Sequence, residues 1–247
     1  VGEKPESTVF INRKKKVGEK LGARVQHEHF PGTAEQEAVL NLIKELNEDP
    51  AVHGIIIQLP LPAHLNAPEL IAAIHPAKDV DGLTAPNLKL LLQNKTAGFR
   101  PATARGVIQL LDYYQIPLAG KNAVVIGRSL LVGKPIALSL LNRDATVTIC
   151  HRHSADLSKL TQNADIIVVA AGVPKLITAE HLRPGQAIVD VGITVMPDGH
   201  LLGDVDFAAA EPIVAAISPV PGGVGPMTVI SLFQNLWEAH QRLIVKA

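Results

Sequence analysis

The chain has 247 residues, enough for one large domain or two modest ones, and 47% of them are apolar against 19% charged, so a packed core is affordable. Lys and Arg together number 23 and Asp and Glu also 23; without net charge there is no long-range attraction for a polyanion, and nucleic acid is excluded as the expected partner. No apolar run approaches the ~18 residues that cross a bilayer, so no membrane is expected, and the single cysteine, Cys150, fits a reducing compartment, with the cytoplasm the expected location. Val1 is not a translation start, so a segment is expected to precede it.

Residues 6–21 read as a helix with Ser7 as a candidate cap. At ~100° per residue Phe10, Lys14, Val17 and Leu21 share one stripe, which puts Lys14 among core-facing residues while Lys15 and Lys16 fall outside it. Two readings are open: an amine that snorkels from the edge of the core, or a desolvated one with a lowered pKa, suited to proton transfer near neutral pH. Strands are predicted at 23–30 and 53–59, the second from the run Gly54-Ile55-Ile56-Ile57, and a helix at 33–46 with Thr33 as its cap. Gln58 then stands at the carboxyl end of a strand, where ligands of open α/β sheets gather. Asp81, in Lys78-Asp79-Val80-Asp81-Gly82, by itself marks an ordinary Asp-Gly turn.

A seam at Phe99-Arg100-Pro101-Ala102-Thr103 precedes a helix at 104–114, and a second, Pro219-Val220-Pro221-Gly222-Gly223, precedes a long terminal helix. Between them, buried strands are predicted at 122–126, 145–149, 166–170 and 187–191, separated by helical stretches near 131–141, 155–162 and 178–182. Short apolar runs alternating with helices predict βαβ units and a parallel sheet covered on both faces. The expected fold is therefore α/β in two lobes: residues 1–103 with 224–247, the terminal helix returning to the first lobe, and a Rossmann-type domain over 104–223.

The first strand of that domain runs into Gly127-Arg128-Ser129-Leu130-Leu131-Val132-Gly133-Lys134-Pro135 and then a helix. Strand, glycine turn and helix form the context of a dinucleotide site, since glycine lets the backbone approach a pyrophosphate and the helix N-terminus offers unpaired N–H groups. The spelling departs from GxGxxG, with Ser129 at the second glycine and the third at Gly133. An NAD site would place a carboxylate at the end of the next strand; here that end reads Cys150-His151-Arg152-His153. Arg152, with Arg128, offers a guanidinium fork suited to a 2′-phosphate, so NADP is the expected cofactor; the competing reading is a solvated basic turn. The pairs His27/His29 and His151/His153 lack an evident third ligand, and no metal is expected at either.

Taken together, Gln58-Leu59-Pro60-Leu61-Pro62, Lys78-Asp79-Val80-Asp81-Gly82, Gly127-Arg128-Ser129 with Val132-Gly133-Lys134-Pro135, Gly203-Asp204-Val205 and Pro219-Val220-Pro221-Gly222-Gly223-Val224-Gly225-Pro226-Met227-Thr228 resemble the bifunctional methylenetetrahydrofolate dehydrogenase/methenyltetrahydrofolate cyclohydrolase family. The resemblance implies an enzyme of one-carbon metabolism acting on tetrahydrofolate derivatives, a homodimer, and a folate cleft between two lobes. It puts the catalytic lysine on Lys14, its partner glutamine on Gln58 and a pterin-contacting aspartate on Asp81. Phe10, Pro221, Gly222, Gly225 and Pro226 would border folate. Gly127, Arg128, Ser129, Gly133 and Arg152 would hold the cofactor, with Gly192 and Ile193 facing its nicotinamide. Two departures stand out: Phe10 occupies the family's tyrosine position, and Thr194 follows Val191-Gly192-Ile193 where a more polar or basic residue is usual. The family's opening strand and helix also have no counterpart here. A shikimate- or malate-type dehydrogenase, or a non-catalytic nucleotide-binding relative, are the competing assignments. The proline-glycine string argues against the first, and the joint presence of Lys14, Gln58 and Asp81 against the second.

Overall fold

The computed structural model describes residues 1–2 and 5–244, without the side chains of residues 5–7, 9 and 244; Ser7 as a helix cap thus lies outside the described residues. The chain divides into two compact units, Val1–Ala102 with the chain from Val229 on, and Thr103–Thr228.

The first unit contains α1 (Pro5–Lys20), α2 (Gln36–Glu48), α3 (Ala67–Ala72), α4 (Ala85–Leu92) and most of the last helix. Its apolar interior forms two clusters. One gathers Val39, Ile43, Ile55, Leu65, Leu70 and Ile74. The other gathers Val80, Phe99, Ala102, Leu232 and Ala239. The expected strands at 23–30 and 53–59 do not form. A β-branched run becomes a strand only when a neighbour supplies a second row of N–H and C=O groups. Here Ile55 makes one isolated parallel bridge to Asp79, and Phe30 receives one bond, from the Gly2 N–H. The helix expected from Thr33 begins three residues later, and Thr33 is exposed and does not cap it.

The second unit runs α5 (Ala102–Tyr113), β1 (Asn122–Ile126), α6 (Gly133–Leu141), β2 (Thr146–Cys150), α7 (Leu157–Gln162), β3 (Ile166–Val169), a 3₁₀ turn (Ala179–His181), β4 (Ala187–Asp190), the hairpin β5 (Thr194–Val195) and β6 (Leu201–Leu202), α8 (Phe207–Ala210), β7 (Ala216–Ile217) and the start of α9 (Val224–Ile244). The five-stranded parallel sheet has the order β2-β1-β3-β4-β7. Burial on both faces explains the unbroken apolar runs of β1, β3 and β4. Ala123 and Val125 join α5 and α6 in one cluster, while Val124 and Ile126 join the α7 and α8 side in the other. Chain direction across the sheet reverses between β1 and β3, so the crevice outside their carboxyl ends is the expected ligand position.

Candidate active site

In the first unit, α1 carries Lys14 half-buried while Lys15 and Lys16 stay exposed, as the periodicity predicts; Leu21, at the far end of the same stripe, is exposed. Lys14 Nζ donates to Gln58 Oε1 at 2.8 Å. Gln58 in turn donates from Nε2 to its neighbour's carbonyl, Leu59 O, at 2.9 Å, which fixes the amide with its oxygen toward the amine. Burial pulls the Lys14 amine below the ordinary lysine range, against the opposing charge of Asp81. Burial likewise pushes the Asp81 carboxyl up to about 6, with Lys14 pulling the other way. A lowered amine and a raised carboxyl under mutual influence form the pattern of a proton-transfer site. Phe10 sits one turn before Lys14 on α1 and is half-buried.

The Asp81 turn is braced by residues that sequence reasoning did not single out. Buried Asp79 accepts from the N–H groups of Gly82 (2.9 Å) and Thr84 (2.8 Å) and from Asn87 Nδ2 (2.8 Å). Asn235, fully buried on α9, donates from Nδ2 to Val80 O at 2.7 Å and Arg100 O at 2.9 Å. Asp79 was visible within the quoted string; Asn235 carries no local signal, because the partners of its amide are backbone carbonyls distant in sequence, and Asn87 reaches Asp79 across a turn that no spacing rule marks.

In the second unit, Gly127 leaves β1 with φ +124°, and a Cβ there would lie 2.2 Å from Ala170 O. A Cβ on Gly133 would lie 2.2 Å from Gly127 O. Both positions therefore require glycine, and the turn closes tightly at the switch point. Ser129 Oγ accepts from the N–H groups of Val132 (3.2 Å) and Gly133 (3.3 Å); its own hydroxyl hydrogen is left to donate to an anion at the start of α6. Arg128 and Arg152 are exposed, Arg152 just past the end of β2 with Nε 3.1 Å from His153 Nε2. Gly192 and Ile193 follow β4, with the Gly192 N–H donating to Asp190 Oδ1 at 3.2 Å. This set fits a dinucleotide: glycines where backbone must come close, a helix N-terminus, and cations instead of a carboxylate past β2. The segment Pro219–Thr228 carries Pro221 behind a cis peptide bond and Gly222 at φ +110°, both exposed, with Gly225 and Pro226 half-buried in the first turn of α9. Among the described residues, no group of three or more His, Cys, Asp and Glu side chains is placed to hold a metal.

The structure thus brings Lys14, Gln58 and Asp81 together in one unit, with Phe10 a turn away. It gathers Gly127, Ser129 and Gly133 at one turn of the other, with Arg128 beside them, Arg152 at the end of β2 and Gly192-Ile193 at the end of β4. Similarity to known proteins also falls into two parts, although the second match takes in the last helix, most of which belongs to the first unit. Residues 1–81 match the tetrahydrofolate dehydrogenase/cyclohydrolase catalytic domain, and residues 101–244 match the NAD(P)-binding domain of the same family. The bifunctional protein FolD of Nitrosomonas europaea is 47% identical over 241 residues, covering 98% of this chain and 81% of the relative. Among solved structures, the bifunctional FolD methylenetetrahydrofolate dehydrogenase/cyclohydrolase of Campylobacter jejuni has a TM-score of 0.95 at 41% identity, covering 98% of this chain and 86% of that one. The Trypanosoma brucei enzyme, solved with NADP and an inhibitor, has a TM-score of 0.94 at 36% identity, covering 100% and 86%. The chain belongs to the tetrahydrofolate dehydrogenase/cyclohydrolase family.

Proposed function

We propose that this protein oxidises 5,10-methylenetetrahydrofolate to 5,10-methenyltetrahydrofolate with NADP, and hydrolyses that product to 10-formyltetrahydrofolate. The observation that carries the reading is the half-buried Lys14 amine, hydrogen-bonded to Gln58 and electrostatically coupled to Asp81.

The two steps ask different things of the chain. When bound, NADP supplies the acceptor for the hydride that leaves the methylene carbon, and the two flanking folate nitrogens delocalise the resulting positive charge. The protein's work there is alignment, with Gly127, Ser129 and Gly133 cradling phosphate and Arg152 and Arg128 pairing with the 2′-phosphate. Hydrolysis needs proton transfer. Water adds to the methenyl carbon and releases one proton; the remaining hydroxyl proton is then transferred to the departing nitrogen as one carbon–nitrogen bond breaks and the formyl C=O forms. Lys14 is placed to carry the transferred proton, because burial lowers its pKa and so favours release of the proton it holds. Gln58 holds the amine in place, and Asp81 orients the pterin through its carboxyl. Phe10, Pro221, Gly222, Gly225 and Pro226 border the folate.

The protein acts as a homodimer. Support comes from the edge strand β2, whose Thr146, Thr148 and Ile149 are exposed. It carries no charge, proline or bulge to discourage pairing with a second copy. The expected location is the cytoplasm; no described helix is long and apolar enough to cross a membrane.

The test is methenyltetrahydrofolate formation from methylenetetrahydrofolate, with NADP and NAD run in parallel. Product with NADP supports the reading. Product with NAD alone overturns the cofactor assignment, and no product from a folded sample that binds nucleotide overturns the activity.

A further inference from the structure

Asp190 and Asp204 form a buried pair of carboxylates at the carboxyl edge of the sheet, 3% and 0% exposed. Asp190 Oδ1 accepts from the N–H groups of Gly192 (3.2 Å) and Asp204 (3.0 Å), and its Oδ2 from Val205 (2.9 Å). Asp204 Oδ2 accepts from Ala171 (2.7 Å) and Gly172 (2.8 Å). Its other oxygen, Oδ1, is the single buried side-chain atom among the described residues with no hydrogen-bond partner. Such an atom ordinarily costs stability and calls for an explanation.

Asp204 touches the loops at the ends of β3 and β4. A Cβ at Gly192 would lie 2.0 Å from its carboxylate carbon, so Gly192 lies directly against the acid. The loop it holds through Ala171 and Gly172 includes Ala170, whose carbonyl abuts Gly127 of the phosphate turn. In this class of sheet the adenosine half lies toward the strand after the glycine turn, here β2 with Arg152. The nicotinamide half then falls on the other side of β1, over the ends of β3 and β4, where Ala171, Gly172 and Gly192 stand.

We propose that Asp204 is a positioning and charge-setting residue of the nucleotide site, holding the loops at the ends of β3 and β4 and favouring the cationic, oxidised cofactor over the neutral, reduced one. This rests on the dinucleotide reading of the unit. Hydride uptake removes the positive charge of the nicotinamide ring, so a fixed buried anion nearby attracts one form and not the other. Among the described residues neither acid is hydrogen-bonded to a cationic side chain; main-chain N–H groups are their hydrogen-bond partners. Burial pushes the Asp190 carboxyl up to about 6, helped by the negative charge of Asp204. A single charge acting over about 10 Å in a partly buried site is worth roughly tenfold in an affinity ratio.

The test compares dissociation constants for NADP⁺ and NADPH, by calorimetric titration at pH 7.5, in the unaltered protein and in Asp204→Asn. The amide keeps an oxygen for the Ala171 and Gly172 N–H groups while removing the charge. The unaltered protein is expected to bind NADP⁺ more tightly than NADPH. Asp204→Asn is expected to lower that preference by about tenfold, with NADPH affinity nearly unchanged. An unchanged ratio in the folded variant, or equal weakening of both nucleotides, overturns the proposal, since a merely structural role moves both together. Asp204→Ser serves in the same comparison if the amide variant does not fold. A preference of the unaltered protein for NADPH overturns the proposal without any variant. Failure of the unaltered protein to bind either nucleotide overturns both the proposal and the dinucleotide reading, whereas an unchanged ratio leaves that reading standing.

Discussion

Replacing Asp81 with asparagine separates what the site does for catalysis from what it costs in stability. The Asp81 carboxyl is raised from 3.8 to about 6, chiefly by burial. Its folded pKa therefore lies above the unfolded one. The group's favourable contribution is complete below the unfolded pKa and is lost as pH rises through the folded pKa. A shift of about two units corresponds to about 3 kcal/mol above pH 7, and because Asp81 keeps some solvent contact we expect ~2–3 kcal/mol. Asp81→Asn imitates the protonated acid, so it should raise the melting temperature at pH 7.5 by several degrees, at ~2–4 °C per kcal/mol for a chain of this size. At pH 4.5 the same arithmetic leaves about 1 kcal/mol, and the gain should shrink accordingly. Folate turnover should fall in the same variant, the usual conflict between a strained functional group and stability. Differential scanning fluorimetry of both proteins from pH 4.5 to 8 measures this. A variant that melts lower at pH 7.5, or whose gain does not depend on pH, would refute the burial argument.

Gly133→Ala forces a Cβ to 2.2 Å from a backbone oxygen, and should weaken NADP binding more than tenfold while leaving folate affinity near its original value, as read by titration. Arg152→Ala should reduce the NADP-over-NAD preference in kcat/KM by at least tenfold, the worth of one charge-assisted contact; an unchanged preference would return Arg152 to a solvated turn. Phe10→Tyr should raise the ratio of cyclohydrolase to dehydrogenase activity, because the resemblance places a hydroxyl one turn from the proton-carrying amine. No gain in the ratio would show that the aromatic ring suffices.

Much of the second unit was legible because strands buried on both faces write themselves as continuous apolar runs. β1 forms where it is expected, β3 and β4 end one residue early, and β2 is displaced by one residue at both ends. The first unit was harder. Its run at 53–59 holds three consecutive isoleucines, yet a strand is a property of two chains of residues and only one bridge forms. Short α3 was missed although Asn66 caps it by accepting from the Glu69 N–H at 3.3 Å, a signal present in Asn66-Ala67-Pro68-Glu69. Lys14 was legible from helical periodicity, which depends on neighbours one turn away. That its amine meets Gln58, 44 residues on, came only through the resemblance. Asp190 and Asp204 stayed invisible as a pair because their partners are main-chain N–H groups, which no sequence pattern names.

The most direct test of the account is the fate of added methenyltetrahydrofolate in Lys14→Ala, followed by its absorbance. If Lys14 carries the proton of the hydrolytic step, the variant should still bind NADP and its hydrolysis of added methenyltetrahydrofolate should fall by at least a hundredfold, beyond the non-enzymatic rate. Hydrolysis at the unaltered protein's rate would contradict the assignment of that chemistry to Lys14.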